Sequence, residues 1–186
     1  MKRLIIAVAM LVSGPALANP LALDVESLSN GVVQTIKLGD GRYSTITYEK
    51  DGAGGYRFLR RLGDDLDNLS AQATVTITAD GQWTSQVRVG EKPILYEPHN
   101  CVRTLGSCRY VIRVGETGRT FRVQRVTEPN NEGGYDYKLY VDTATGNEVA
   151  EQGSFILDER GFTKEISMSR LRSSATFTLV DVTYPD

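Results

Sequence analysis

The residues best suited to metal or nucleophilic chemistry lie in one stretch of the chain. His99 is the only histidine, and the only two cysteines, Cys101 and Cys108, follow it closely. These are zinc ligands by type, but a structural zinc site has four ligands and no fourth is evident. The cysteines also lack the Cys-x-x-Cys spacing of a redox-active pair. We therefore predict a Cys101–Cys108 disulfide, no metal and no cofactor, and we expect His99 at the surface or in a turn.

Two turns of the chain are rich in carboxylates, which could support glycoside hydrolysis or calcium binding. One contains Asp64, Asp65 and Asp67, and the other contains Asp158 and Glu159. In turns next to Gly and Asn, such side chains commonly cap the backbone instead. Neither turn carries the full Asp-x-Asp-x-Asp-Gly calcium sequence, and no Gly-x-Ser-x-Gly elbow accompanies His99. We assign no catalytic residue, and a carboxylate-dependent hydrolase is kept as an alternative.

A Gly-Gly-Tyr sequence occurs twice, and each copy stands near several arginines. The copies end at Tyr56 and Tyr135, and the clusters contain Arg57, Arg60, Arg61, Arg119, Arg122 and Arg125. Tyrosines after a glycine loop could stack on a ligand, and the arginines could line an anion-binding face. Interspersed acids favour a solvated sheet surface over a dedicated anion site. The candidate ligand-contact residues are Tyr56, Tyr135, Arg57 and Arg122.

The repeated sequence is part of a longer internal similarity. The separation from Tyr56 to Trp83 equals that from Tyr135 to Phe162, and the runs before each tyrosine also agree. We predict two tandem pseudo-repeats, at about 30–90 and about 109–183. A connector at 91–108 carries the disulfide loop between them.

Apolar residues recur at every second position after Val32, which is typical of half-buried strands. In the hairpin around Asp80-Gly81, the first strand has Ala73, Val75 and Ile77 on one face. The second strand has Trp83, Ser85, Val87 and Val89 on one face. Arg125 occupies a position where an apolar residue is due, so a bulge is expected there.

These patterns predict an all-β fold, an antiparallel meander of about ten strands plus a short piece at Ile94–Tyr96. The meander could close as a barrel or split into a two-sheet sandwich. Closure is favoured because an open sheet of this size leaves long unpaired edges.

The first 18 residues resemble a secretory signal peptide. Lys2 and Arg3 precede an apolar run at 4–12, and Ala16-Leu17-Ala18 supplies a cleavage site. The run is too short to span a membrane, so no transmembrane segment is expected. Residues 19–186 form a single β domain with a modest net negative charge, which argues against nucleic-acid binding.

The expected protein is therefore periplasmic or secreted, soluble and non-catalytic. It is a binding or envelope-associated β module whose partner is an envelope protein or glycan. The alternatives are the hydrolase of envelope polysaccharide or peptide and a carrier of a small apolar ligand.

Overall fold

The computed structural model describes residues 19–23, 28, 30–52, 54–115, 117–170 and 173–185. The predicted signal peptide, residues 1–18, lies outside the described residues. Among the residues described, no helix has the length and apolar character needed to cross a membrane.

Within these ranges, twelve strands form one closed antiparallel barrel. A short 3-10 helix, Cys101–Arg103, lies between the sixth and seventh strands. The strands are β1 (Val33–Leu38), β2 (Tyr43–Lys50), β3 (Tyr56–Gly63), β4 (Ser70–Ile77), β5 (Trp83–Arg88), β6 (Ile94–His99), β7 (Gly106–Val114), β8 (Arg119–Pro129), β9 (Tyr135–Thr143), β10 (Gly146–Leu157), β11 (Thr163–Arg170) and β12 (Ser173–Thr183).

Every strand pairs with its neighbours in the sequence, and β1 pairs with β12 to close the barrel. Closure leaves no strand with an unpaired edge, which is the physical reason for expecting a barrel. The all-β, barrel-like prediction is confirmed, with twelve strands instead of about ten. The piece at Ile94–Tyr96 belongs to a full strand, β6, that joins β5 to β7.

The hydrophobic core lies at one end of the barrel. We call this the closed end; the loops 51–55, 78–82, 130–134 and 158–162 lie there. The segment before β1 also packs there, and Leu21, Val32 and Phe162 are fully buried. Phe162 packs with Leu28, Val32 and Tyr48 in one cluster, and Leu21 packs with Tyr137 and Phe155 in another.

The other end is packed less tightly, and we call it the open end. Its turns are 39–42, 64–69, 89–93 and 144–145. Apolar side chains that face inward here are only half-buried, among them Leu38, Leu62 and Phe177. The barrel therefore has a filled half and a half whose inner wall retains contact with solvent.

Arg103 fastens the N-terminal segment to the closed end. Its Nη1 donates to the carbonyl of Gly161 at 2.6 Å and to that of Leu21 at 3.4 Å. Asn19 Nδ2 in turn donates to the carbonyl of Arg103 at 2.8 Å. Burial lowers the pKa of Arg103. These bonds hold the segment across the end of the barrel.

The two Gly-Gly-Tyr loops have the same backbone hydrogen bonding. In loop 51–55, Gly55 N donates to Asp51 Oδ1 at 2.7 Å, and in loop 130–134, Gly134 N donates to Asn130 Oδ1 at 2.9 Å. The third residue past each Asx is a glycine with positive φ, 85° at Gly54 and 78° at Gly133. Both loops thus form the same Asx-stabilised turn. The duplication itself stays a prediction.

Side-chain alternation differs from the expected pattern in two strands. The pairing of β4 with β5 shifts between Thr76 and Ile77. Past this bulge, Val87 faces outward and is 47% exposed, whereas Arg88 lies opposite Ala73 and shares its inner face. The grouping of Trp83 with Val87 is therefore wrong, because a bulge reverses the phase of the strand.

The bulge expected at Arg125 is also wrong. The pairing of β8 with β7 and with β9 is regular along its length. Arg125 keeps the phase of Val123 and Thr127 and is buried at 9% exposure. The sequence pattern suggested a slip because arginine is unusual on an inner face, but the barrel interior accommodates it.

Replacing Gly161 with alanine is expected to destabilise the fold by about 1–2 kcal/mol more than replacing Gly81. Both glycines have similar positive φ, 83° and 81°. A Cβ at Gly161 would collide with the Ala22 carbonyl, whereas one at Gly81 meets no atom within 4 Å. Urea unfolding of the two variants measures the difference. Equal losses would mean that the N-terminal segment does not pack against this turn.

Candidate ligand-binding site

The predicted disulfide is present. Cys101 and Cys108 are bonded with their Cα atoms 5.3 Å apart, and Cys101 is fully buried. The bond joins the 3-10 helix to β7 and leaves neither thiolate free to bind a metal. In the described part of the chain, no group of three or more His, Cys, Asp and Glu residues is placed to hold a metal ion.

His99 lies inside the barrel wall rather than on a surface turn. Its ring stacks on Tyr110 with centroids 3.8 Å apart, and Tyr96 and Trp83 lie at 5.4 and 6.4 Å. His99 Nδ1 accepts a hydrogen bond from Cys101 N at 3.2 Å. The neutral ring therefore carries its proton on Nε2, which is buried without a partner among the described residues. Burial, with the charge of Arg125, lowers the pKa of His99 to about 4.

The acidic turns use their carboxylates to shape the backbone. Asp65 Oδ1 accepts from Asp67 N at 3.0 Å, and Asp158 Oδ1 accepts from Phe162 N at 2.8 Å. Asp64 and Asp65 also line a shallow pocket of about 390 Å³ at the open end, beside Arg42. These are the Asx-turn contacts expected of such segments.

The four candidate ligand-contact residues do not converge. Tyr56 packs against the Phe162 cluster, and Tyr135 stacks on Phe155 at 5.3 Å, both at the closed end. Arg57 and Arg122 are exposed on β3 and β8, which are not neighbours in the barrel. Arg57 lies 3.7 Å from Glu49. Arg122 lines an outer pocket of about 440 Å³ with Glu97, Arg109, Gln124 and Asp142.

A different set of arginines faces the barrel interior. Arg60 lies directly opposite Ala73 across the β3–β4 pair, and Ala73 lies opposite Arg88 across the β4–β5 pair. Residues opposite each other in a ladder share a face, so the two arginines flank a small alanine on the inner wall. Their backbones are about 10 Å apart, which is two strand spacings.

Arg60 is held in place by a buried serine. Its Nε donates to Ser44 Oγ at 3.0 Å, and Ser44 Oγ donates to the Arg61 carbonyl at 3.0 Å. The Arg60 guanidinium lies 5.8 Å from the centroid of Phe177. No carboxylate among the described residues lies within 4.0 Å of it. Arg60 is thus a fixed, half-buried cation without an acidic partner.

The charges nearest Arg60 are positive. Burial lowers the pKa of Arg60, and the charges of Arg170, Arg88 and Arg42 lower it further. Arg170 and Arg88 are the last residues of their strands at the open end. Each of these three arginines has an acidic partner: Arg170 pairs with Glu151, Arg88 with Glu91 and Arg42 with Asp40. Arg60 differs from them because no such partner lies beside it among the described residues.

Two other arginines on the inner face, Arg170 at the open end and the buried Arg125, are balanced by other groups. Arg170 Nε donates to Glu151 Oε2 at 2.5 Å, and Tyr137 OH donates to Glu151 Oε1 at 2.8 Å. The Arg125 guanidinium lies 4.0 Å from the Tyr137 centroid, and its Nε donates to Thr127 Oγ1 at 3.2 Å. Burial lowers the pKa of Arg125, and the nearby charge of Glu151 opposes this shift. Arg60 has no comparable compensation.

The prediction from sequence placed Arg60 in one cluster with Arg57 and Arg61 and did not distinguish the inner from the outer face of their strand. The signal was available, because Arg60 is in phase with Tyr56 and Phe58, whereas Arg57 and Arg61 are not. Arg88 carried no such signal, since the β5 bulge reverses its phase.

No protein-family model, curated protein or solved structure matches this chain. Its function is therefore inferred from its own residues and their geometry.

Proposed function

We propose that the chain is an exported, non-catalytic binding protein that takes its ligand into the open end of the barrel. The observation that carries this proposal is the difference between the two ends. The closed end is filled by side chains such as Phe162 and Leu21, whereas inward side chains at the open end, such as Leu38 and Phe177, are half-buried. A rigid barrel with an accessible, partly apolar inner wall is a common form of ligand site.

Export supports the same proposal. The chain begins with the zones of a signal peptide, and its two cysteines form a disulfide, which is typical of oxidising compartments. The ligand would then be a component of the envelope or its surroundings. The acidic turns favour binding over hydrolysis, because Asp65 and Asp158 accept hydrogen bonds from the backbone of their own turns.

The test is to purify residues 19–186 from the envelope of the source cells without denaturation and to measure the intact mass under native conditions. We expect a mass excess that disappears on organic extraction. Adding the extract back to 15N-labelled protein should shift the amide signals of Leu38 and Phe177 and leave that of Phe162 unchanged.

The hydrolase alternative predicts a different result. In that case the protein leaves the envelope without a bound molecule and cleaves an envelope polysaccharide or peptide, and Asp64→Asn or Asp65→Asn abolishes the cleavage. That outcome would overturn the binding proposal.

A further inference from the structure

The least compensated charge inside the barrel is that of Arg60. A cation that is withdrawn from water without an acidic partner costs free energy, unless another group supplies the negative charge. Arg60 has the Ser44 hydroxyl at 3.0 Å and the Phe177 ring at 5.8 Å, both uncharged. Its partner is therefore missing from the described residues.

The geometry around Arg60 suits an anionic group. The Ser44 bond uses Nε and fixes the plane of the guanidinium. Neither Nη atom is hydrogen-bonded to a described residue, so both can make a bidentate contact. Ala73, whose side chain is a single methyl group, separates Arg60 from Arg88 on the same face. Arg88 Nη1 also lies 3.7 Å from Glu91 Oε2, but both of these side chains are exposed to solvent. A carboxylate or phosphate placed between Arg60 and Arg88 would face two guanidinium groups.

The wall next to this position is apolar. Ile46 lies directly opposite Arg60 on β2, and Phe177 lies against its guanidinium. Leu38 lies opposite Phe177 on β1, and all three apolar side chains are half-buried. A simple inorganic anion would leave this apolar surface exposed to water, whereas an apolar group attached to the anion would cover it.

We propose that the open end binds an amphipathic anion, whose single carboxylate or phosphate head contacts Arg60 and Arg88 and whose apolar body covers Leu38, Ile46 and Phe177. This proposal rests on the proposed binding function and adds the chemical class of the ligand. A carboxylate and a phosphate both offer arginine a negative charge and a pair of acceptor oxygens.

The experiment measures the binding of four probes to the delipidated mature protein by calorimetry: decanoate, decyl phosphate, decanol and inorganic phosphate. We expect one or both amphipathic anions to bind at least about tenfold more tightly than decanol, as hydrogen bonds to charged groups allow. The stronger of the two identifies the head group. Inorganic phosphate should bind weakly, and raising the salt concentration should weaken the binding of the anions.

Two neighbouring arginines provide a matched pair of variants. Arg60→Gln should reduce the affinity for the anions at least about tenfold, to that for decanol. Arg61→Gln should change it less than about twofold, because Arg61 points outward and bonds Thr47. Arg60→Lys should retain part of the affinity because it keeps the charge but loses the bidentate contact. Thermal melting verifies folding; if Arg60→Gln does not fold, Arg60→Lys and the salt dependence decide.

Equal affinity for decanol and decanoate, or equal losses in Arg60→Gln and Arg61→Gln, would overturn the assignment of an anionic head while leaving a binding barrel intact. Inorganic phosphate binding as tightly as decyl phosphate would overturn the apolar body. If none of the probes binds and the native protein carries no extractable molecule, the proposed function fails as well.

Discussion

Phe162→Ala is expected to lower the free energy of unfolding by about 3–5 kcal/mol, the usual cost of emptying a fully packed aromatic site. Phe162 is 0% exposed and packs against Leu28, Val32 and Tyr48. Its ring centroid lies 6.0 Å from that of Tyr48 in an edge-to-face arrangement. The site cannot collapse easily, because the N-terminal segment already covers it. Urea denaturation at neutral pH measures the loss.

Phe177→Ala is the matched control for this prediction. Phe177 also points into the barrel, but at the open end, where it is half-buried. Its removal should cost roughly 1–2 kcal/mol, because less apolar area returns to water. Similar losses at both positions would contradict the division into a filled and an open end.

The second large effect is a loss of stability as the pH falls through weakly acidic values. The pKa of His99 is about 4 in the folded protein and 6.5 for the unperturbed group. Below pH 6.5 the unfolded chain therefore binds a proton that the folded protein excludes. Stability should fall from about pH 6.5 to about pH 4 and level off below, where both states are protonated.

The expected loss of unfolding free energy is on the order of 2 kcal/mol. The full pKa difference, converted at about 1.4 kcal/mol per unit, would give a larger loss. Local relaxation and solvent weaken the effect. The groups packed around the His99 ring explain why its pKa is lowered. Tyr96, Tyr110 and Trp83 exclude water, and Arg125 repels a second positive charge. No carboxylate among the described residues stabilises the charged form of the His99 ring.

His99→Phe provides the control, because it keeps an aromatic ring against Tyr110 and cannot titrate. The variant loses the bond from Cys101 N, a cost that does not depend on pH. Urea unfolding at pH 7, 5.5 and 4.5 should show a declining stability for the wild type and a flat one for the variant. Asp40 and Asp80 have pKa values below 3.8, so their contribution is lost only at lower pH. Parallel curves would contradict the assignment to His99.

The class of fold could be predicted from the sequence because its signals are local. Alternation around Val75, glycine turns such as Asp80-Gly81 and the absence of a helical period all depend on neighbouring residues. The disulfide was predictable for the same reason, since Cys101 and Cys108 are close in the chain.

The interior of the barrel was less accessible to sequence reasoning. The local sequence around Pro98 predicts a surface or turn position for His99, yet strand pairing places it opposite Trp83, where Tyr110 stacks on it. Arg125 suggested a bulge because a charge on an inner face is costly, but the Tyr137 ring and nearby Glu151 offset that cost. These contacts join strands that are distant in the sequence.

By itself, the sequence determined the antiparallel strands, their turns and the cross-link, because these follow from the conformational preferences of adjacent residues. The tertiary structure alone decided which end of the barrel is filled and which arginines face inward. Pairing of β3, β4 and β5 brings Arg60, Ala73 and Arg88 into one row, and closure of the barrel lets Arg60 reach Phe177 on β12. The physical reason is that a bulge or a register shift reverses the face of every later side chain, and only pairing with other strands fixes where it occurs.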